Sequence, residues 1–257
     1  MHTLELMQDI DRRYRSASTL THRRMFSIFY SRIDPSEGLV LGINPGGDPK
    51  TWSETELASI TYYENWEHEY VDCRYAIQEP MLPFLENVFS TDSEGVRRIP
   101  KTNLAFRRSN GVDKFEAIHG MSMTAAQIEA QPFVAEMIAH VSPTVIILEG
   151  MTLLDAFRRR YSDRTTFEAI GEPIYALHRG KPVRVYQAQR LFVSCLQRVI
   201  PVVAIGHPSH FGSKPEFTEV ELRTKSVVSI ARSSSRHHVP SNLKLQVTPV
   251  PRRHRRT

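Results

Sequence analysis

Four apolar runs bounded by turn residues punctuate the chain: Gly38 to Ile43, Ile99 to Phe106, Thr144 to Leu148 and Val199 to Ile205. Each is short, continuous and flanked by Gly or Pro, the pattern of a strand covered on both faces. Helical spacing separates them. Met81 to Phe89 follows Pro80 with apolar residues three and four apart. Ala125 to Val141 carries Ile128, Phe133, Met137, Ile138 and Val141 on one stripe before Ser142-Pro143 stops it, and Leu153 to Phe157 begins a third helix. Strands alternating with helices predict an α/β fold, a three-layer α/β/α sandwich with a central, mostly parallel, four-stranded sheet. Ile174 to Leu177 and Val183 to Tyr186, joined by His178-Arg179-Gly180-Lys181-Pro182, predict a hairpin at its margin. Beyond Ala231 the pattern is polar and aperiodic, so residues 1–230 are read as one α/β domain and 231–257 as a basic, extended or disordered arm.

Charge sharpens that division. Of the 33 Lys and Arg in 257 residues, nine lie beyond Leu222 with no acid among them, which leaves 24 against 28 acids in the preceding part. Arg12, Arg13, Arg15, Arg23 and Arg24 form a second basic cluster. Such clusters suit a polyanion, and nucleic acid is the usual one. No run approaches the roughly 18 apolar residues of a membrane helix, and the opening MHTLELMQDIDRRYR is too charged for a secretory signal, so a cytoplasmic protein without a membrane partner is expected. Two cysteines, Cys73 and Cys195, are too few for a four-thiolate metal or cluster site and read as reduced, partly buried residues.

The stretch LGINPGGDPKTW, Leu41 to Trp52, leaves the first predicted strand through two glycines and two prolines. Gly42 and Gly47 have P-loop spacing, but Asp48 and Pro49 stand where that loop needs its Lys, and GxGxxG is absent. What remains is a turn that exposes Asn44, stiffened by Pro45 and opened by Gly46 and Gly47. The last apolar run delivers His207-Pro208-Ser209-His210-Phe211-Gly212 at its carboxyl end, where open α/β sheets bind ligands. A third run supplies Thr102-Asn103-Leu104 to the same rim.

These three segments resemble the uracil-DNA glycosylase superfamily. GINPGG at Gly42 to Gly47 is similar to its water-positioning motif in the Asn form of the mismatch-specific and single-strand-selective branches. HPSHFG at His207 to Gly212 resembles its minor-groove loop, and TNL at Thr102 to Leu104 matches the place of its base-reading Asn. The resemblance spans about residues 38 to 212 and implies a monofunctional DNA glycosylase, which hydrolyses the N-glycosidic bond of an everted base. It implies that Asn44 holds the attacking water and that His207 donates to the base's O2 as charge accumulates, either as a neutral ring or as a cation. It implies that Asn103 reads a pyrimidine edge with a donor and an acceptor in one plane. An aromatic covers the flipped ring, with Tyr62, Tyr63 and Trp52 as candidates and Tyr63 preferred. Phe211 falls at the wedge position, and Gly46, Gly47, Ser209, His210 and Lys214 are expected near DNA. No lysine stands where a Schiff-base nucleophile would.

The sequence cannot supply the four cysteines used by the branches that bind an iron-sulphur cluster, and it departs from the family in a short amino-terminal section and in its tail. His237, His238 and His254 belong to the arm rather than to a metal site; no metal or other cofactor is expected, and the protein is read as a monomer. Gly46 stands where the strict uracil branch carries a bulky Tyr that blocks C5 substituents. The pocket is therefore expected to admit thymine or larger 5-substituted cytosines, which would fit an antiviral enzyme that excises modified bases from phage DNA. Uracil or mismatch repair, and DNA binding without catalysis, are the alternatives.

Overall fold

A computed structural model describes residues 2–18, 25–46, 67–72 and 77–236. Its elements in chain order are α1 (Thr3–Ser18), β1 (Gly38–Gly42), α2 (Glu69–Asp72), α3 (Gln78–Phe89), α4 (Ser93–Val96), β2 (Lys101–Asn103), α5 (Val112–His119), α6 (Met123–Val141), β3 (Val145–Glu149), α7 (Thr152–Tyr161), β4 (Ser162–Ala169), β5 (Ile174–His178), β6 (Lys181–Val193), β7 (Arg198–Ile205), α8 (Pro208–Phe211) and α9 (Pro215–Arg236).

The fold is mixed α/β about one seven-stranded sheet, ordered β2-β1-β3-β7-β6-β4 with β5 also paired to β6. The four strands foreseen as apolar runs lie side by side and parallel. The expected four-stranded sheet is thus corrected to seven, because β6 extends the sheet antiparallel to β7 and carries β4 and β5 on its other side. The predicted hairpin is β5–β6, but β6 continues far past Tyr186 and becomes a full member of the sheet.

Successive residues on a strand face opposite sides. Leu39, Leu41, Ile146, Leu148, Val202 and Ala204 therefore pack with residues of α1, α6 and α7 on one face. Val40, Val145, Ile147, Val203 and Ile205 pack with α3 and α9 on the other. Burial on both faces is why β1 and β3 read as unbroken apolar runs. The helix α6 begins where the Ser122 hydroxyl accepts from the Ala125 amide and ends with Ser142 in a left-handed conformation. Ile128, placed on the buried stripe by spacing, is instead 58% exposed.

The boundary read at Ala231 falls inside α9. The serines that suggested an irregular tail are satisfied within the helix, since Ser233 and Ser234 donate to the Ser229 and Ile230 carbonyls. Arg232 also fastens this turn to Glu37 at 2.7 Å and to the Phe89 carbonyl at 2.7 Å. Residues 237–257 lie outside the described residues. Among the described residues, no helix is long and apolar enough to cross a membrane.

Candidate active site

Register places the carboxyl ends of the four parallel strands on one edge, with Gly42 opposite Asn103, Leu41 opposite Leu148 and Glu149 opposite Ile205. A cavity of about 330 Å³ opens there, lined in part by Asn44, Gly46, Asn103 and His207. That is within the range of ligand pockets, roughly 300–1,000 Å³. Three segments far apart in sequence thus meet in one place.

The turn after β1 is stitched to the segment after β2. Leu104 and Ala105 amides donate to the Gly42 and Ile43 carbonyls, and the Ser109 amide donates to the Pro45 carbonyl at 3.0 Å. Asn44 Nδ2 donates to the Pro45 carbonyl at 2.9 Å and to Ser109 Oγ at 3.0 Å. With its nitrogen held by backbone and hydroxyl oxygens, the amide keeps Oδ1 as a fixed acceptor. Arg108 donates to the Gly46 carbonyl at 3.1 Å. Among the described residues, no heavy atom lies within 4 Å of a Cβ built on Gly46.

His207 is half-buried at the end of β7, its Nδ1 at 2.8 Å from Ser209 Oγ. Burial lowers its pKa, the negative charge of Glu149 partly opposes this, and His210 and Lys101 add to the lowering. A neutral ring at neutral pH follows. When Ser209 donates to Nδ1, the ring's proton stands on Nε2 and is available to a ligand.

Asn103 is buried at the end of β2, where its Oδ1 accepts from Lys101 Nζ at 3.2 Å. The ammonium also donates to Glu149 Oε2 at 2.6 Å, and the Tyr70 hydroxyl donates to the other oxygen of Glu149. Held this way, Asn103 keeps its Nδ2 hydrogens as donors. Gly42 is glycine because these side chains cross over it: a Cβ there would lie 2.2 Å from Asn103 Oδ1 and 2.5 Å from Lys101 Nζ.

Glu69, Lys101, Glu149 and Arg108 also line the cavity, and sequence reading missed all four. Two had a signal: Lys101 and Glu149 are charged residues within or just after apolar runs, at the edge where ligands bind. Glu69 had none. It opens the short helix α2, whose place is set by His68, buried and held neutral. The His68 Nε2–H donates to the Ile99 carbonyl at 2.9 Å, Nδ1 accepts from the Tyr70 amide, and burial drives its pKa down to about 4. Burial likewise pushes the Glu69 carboxyl up to about 7; Lys101 opposes the rise, Glu149 adds to it and Arg108 opposes it.

Ser209 and His210 are exposed beside His207, and Lys214 is exposed immediately before α9. The ring centroid of His210 lies 5.6 Å from that of His207 and 5.8 Å from that of His178. Phe211, read at the wedge position, packs inward. Its side chain is 9% exposed and belongs to the core on the α3–α9 face, against Gly206, where any Cβ would stand 2.8 Å from its ring. Gly47, Tyr62, Tyr63 and Trp52 lie outside the described residues, as does Cys73. Cys195 is a half-buried free thiol, its pKa raised by burial. Among the described residues, no group of three or more His, Cys, Asp or Glu is arranged to hold a metal.

Comparison with protein-family models found no match, and none of the curated proteins searched is similar to the chain.

Proposed function

We propose that the chain is a monofunctional DNA glycosylase of the uracil-DNA glycosylase type. It excises a modified pyrimidine by hydrolysing the N-glycosidic bond, with a pocket open at C5 that suits a 5-substituted cytosine or thymine of phage DNA. The observation that carries this reading is the convergence of Asn44, Asn103 and His207 on one cavity of about 330 Å³. On this reading the fold is a three-layer α/β/α sandwich whose four parallel strands bear the site, and the protein acts as a cytoplasmic monomer on DNA.

Each step has a group suited to it. Asn44 Oδ1, free to accept, holds the water but is too weak a base to deprotonate it, so rate must come from the leaving group. A neutral His207 donates from Nε2 to the base's O2, where negative charge grows as the bond breaks; one such donor contributes roughly 10²–10³-fold. Asn103 offers donors to the ring edge, and open space at Gly46 receives the C5 substituent. Ser209 and Lys214 meet phosphates, and the basic arm adds attraction that reads no sequence.

A panel of duplexes carrying uracil, a thymine mismatch, or bulky 5-substituted cytosines tests the reading. Wild-type protein is expected to release free base from the 5-substituted members and leave abasic sites. Release confined to uracil would defeat the open-pocket argument, and release from none would defeat the glycosylase.

A further inference from the structure

This inference rests on the glycosylase reading above and names a further participant in the same site. We propose that Glu69 is a catalytic acid: its carboxyl gives a proton to N3 of a cytosine-type base as the N-glycosidic bond breaks.

Placement supports this. The Glu69 amide donates to the Tyr30 carbonyl at 2.9 Å, and the Tyr30 amide donates to the Lys101 carbonyl at 3.2 Å. Glu69 is thereby tied to β2, the strand that ends in Asn103. His207 comes from β7, with β1 and β3 between the two. A pyrimidine whose ring edge is read by Asn103 brings its N3 and C4 to the β2 side of the cavity, the side to which Glu69 is tied. Glu69 lines the cavity and, among the described residues, no hydrogen bond holds its carboxyl. The charged groups facing it are Lys101 from β2, Glu149 from β3 and Arg108 from the segment after β2, with the Tyr70 phenol beside them. The net effect of burial and these neighbours leaves it titrating at about 7, so a substantial fraction carries its proton at neutral pH.

The chemistry balances. The proton passes from the Glu69 carboxyl oxygen to N3, and the C1′–N1 bond breaks with its electron pair moving into the ring. The base then departs neutral instead of as an anion. The water oxygen bonds to C1′ and releases its extra proton to solvent, from which the Glu69 carboxylate is reprotonated. Uracil and thymine carry hydrogen on N3 and cannot accept there, so their departure relies on His207 alone. Dependence on Glu69 therefore distinguishes the two base classes.

Single-turnover release from a duplex carrying one 5-hydroxymethylcytosine, and from one carrying uracil, tests the role across the neutral pH range. For the cytosine duplex the wild-type rate is expected to fall about tenfold per pH unit above about 7, and Glu69→Gln to be about 10²-fold slower or worse with a flat profile. The ratio of uracil to cytosine release is expected to rise in Glu69→Gln, because uracil departure does not use the Glu69 proton. Glu69→Gln that keeps the wild-type rate and pH profile on the cytosine duplex overturns the proposal. Carbon-13 NMR titration of the Glu69 carboxyl in the unmodified protein gives a second reading: a midpoint near 7 is expected, and one near the ordinary 4.5 overturns it whatever the variant's stability. Wild-type protein that releases neither base overturns the glycosylase reading itself, which separates the two failures.

Discussion

The Lys101–Glu149 pair is the most stringent test of how the cavity is built. Both side chains are 3% exposed and their charged atoms stand 2.6 Å apart. Removing two charges from water is expensive, and the pair stands because each ion is compensated. Lys101 is also held by Asn103 and the Thr102 carbonyl, and Glu149 by the Tyr70 hydroxyl. Replacing Lys101 by Met keeps the length of the side chain but leaves the Glu149 carboxylate uncompensated. Breaking a buried pair on one side costs about 3–5 kcal/mol, against a total stability of roughly 5–15 kcal/mol. For a chain of this size that corresponds to a fall in Tm of roughly 6–20 °C. The double variant Lys101→Met with Glu149→Gln removes both charges, retains an acceptor for Tyr70, and is expected to recover most of the loss. Urea unfolding of wild type, the single variant and the double variant measures each quantity. A single variant less stable by under about 1 kcal/mol, with no recovery in the double, would show that the pair is solvated, contrary to its burial.

Two glycines make opposite predictions. At Gly46 an added Cβ meets no heavy atom of the described residues within 4 Å, so Gly46→Tyr is expected to leave thermal unfolding unchanged while release of 5-substituted bases falls and uracil release persists. Equal loss for both base classes would contradict the assignment of Gly46 to the C5 side. Gly42→Ala would place a Cβ 2.2 Å from Asn103 Oδ1 and is expected to cost about 1–3 kcal/mol by overpacking and to slow base release by displacing Asn103. An alanine variant with native stability and rate would contradict that crossing.

The parallel strands were legible because burial on both faces writes an unbroken apolar run, and the two end motifs because a strand end followed by Asn-Pro-Gly or His-Pro-Ser is unusual enough to notice. What escaped was written in polar residues. β4, Ser162–Ala169, is an edge strand with an irregular register against β6 and needs no apolar run. The latter half of β6 mixes Gln187, Gln189 and Arg190 with apolar residues, although Gln189 is buried in the sheet. α1 buries Leu6, Met7, Ile10 and Tyr14 at helical spacing, and Tyr14 stacks edge-on against Phe106 and Phe133. The rest of that helix is largely charged, which dilutes the stripe in the sequence. In the site, Asn44, Asn103 and His207 came from motifs. The ion pair beneath them and Glu69 depend on three strands and a short helix converging, a relation that no local window contains.

The central claim is that the cavity edged by Asn44 and His207 is where a base leaves DNA. Its most direct test is single-turnover base release by Asn44→Ala and His207→Ala, with duplex affinity measured in parallel on the same DNA. The expected result is a loss of about 10²–10³-fold or more in release with duplex affinity retained. Variants that release base at the wild-type rate would move the chemistry elsewhere in the molecule.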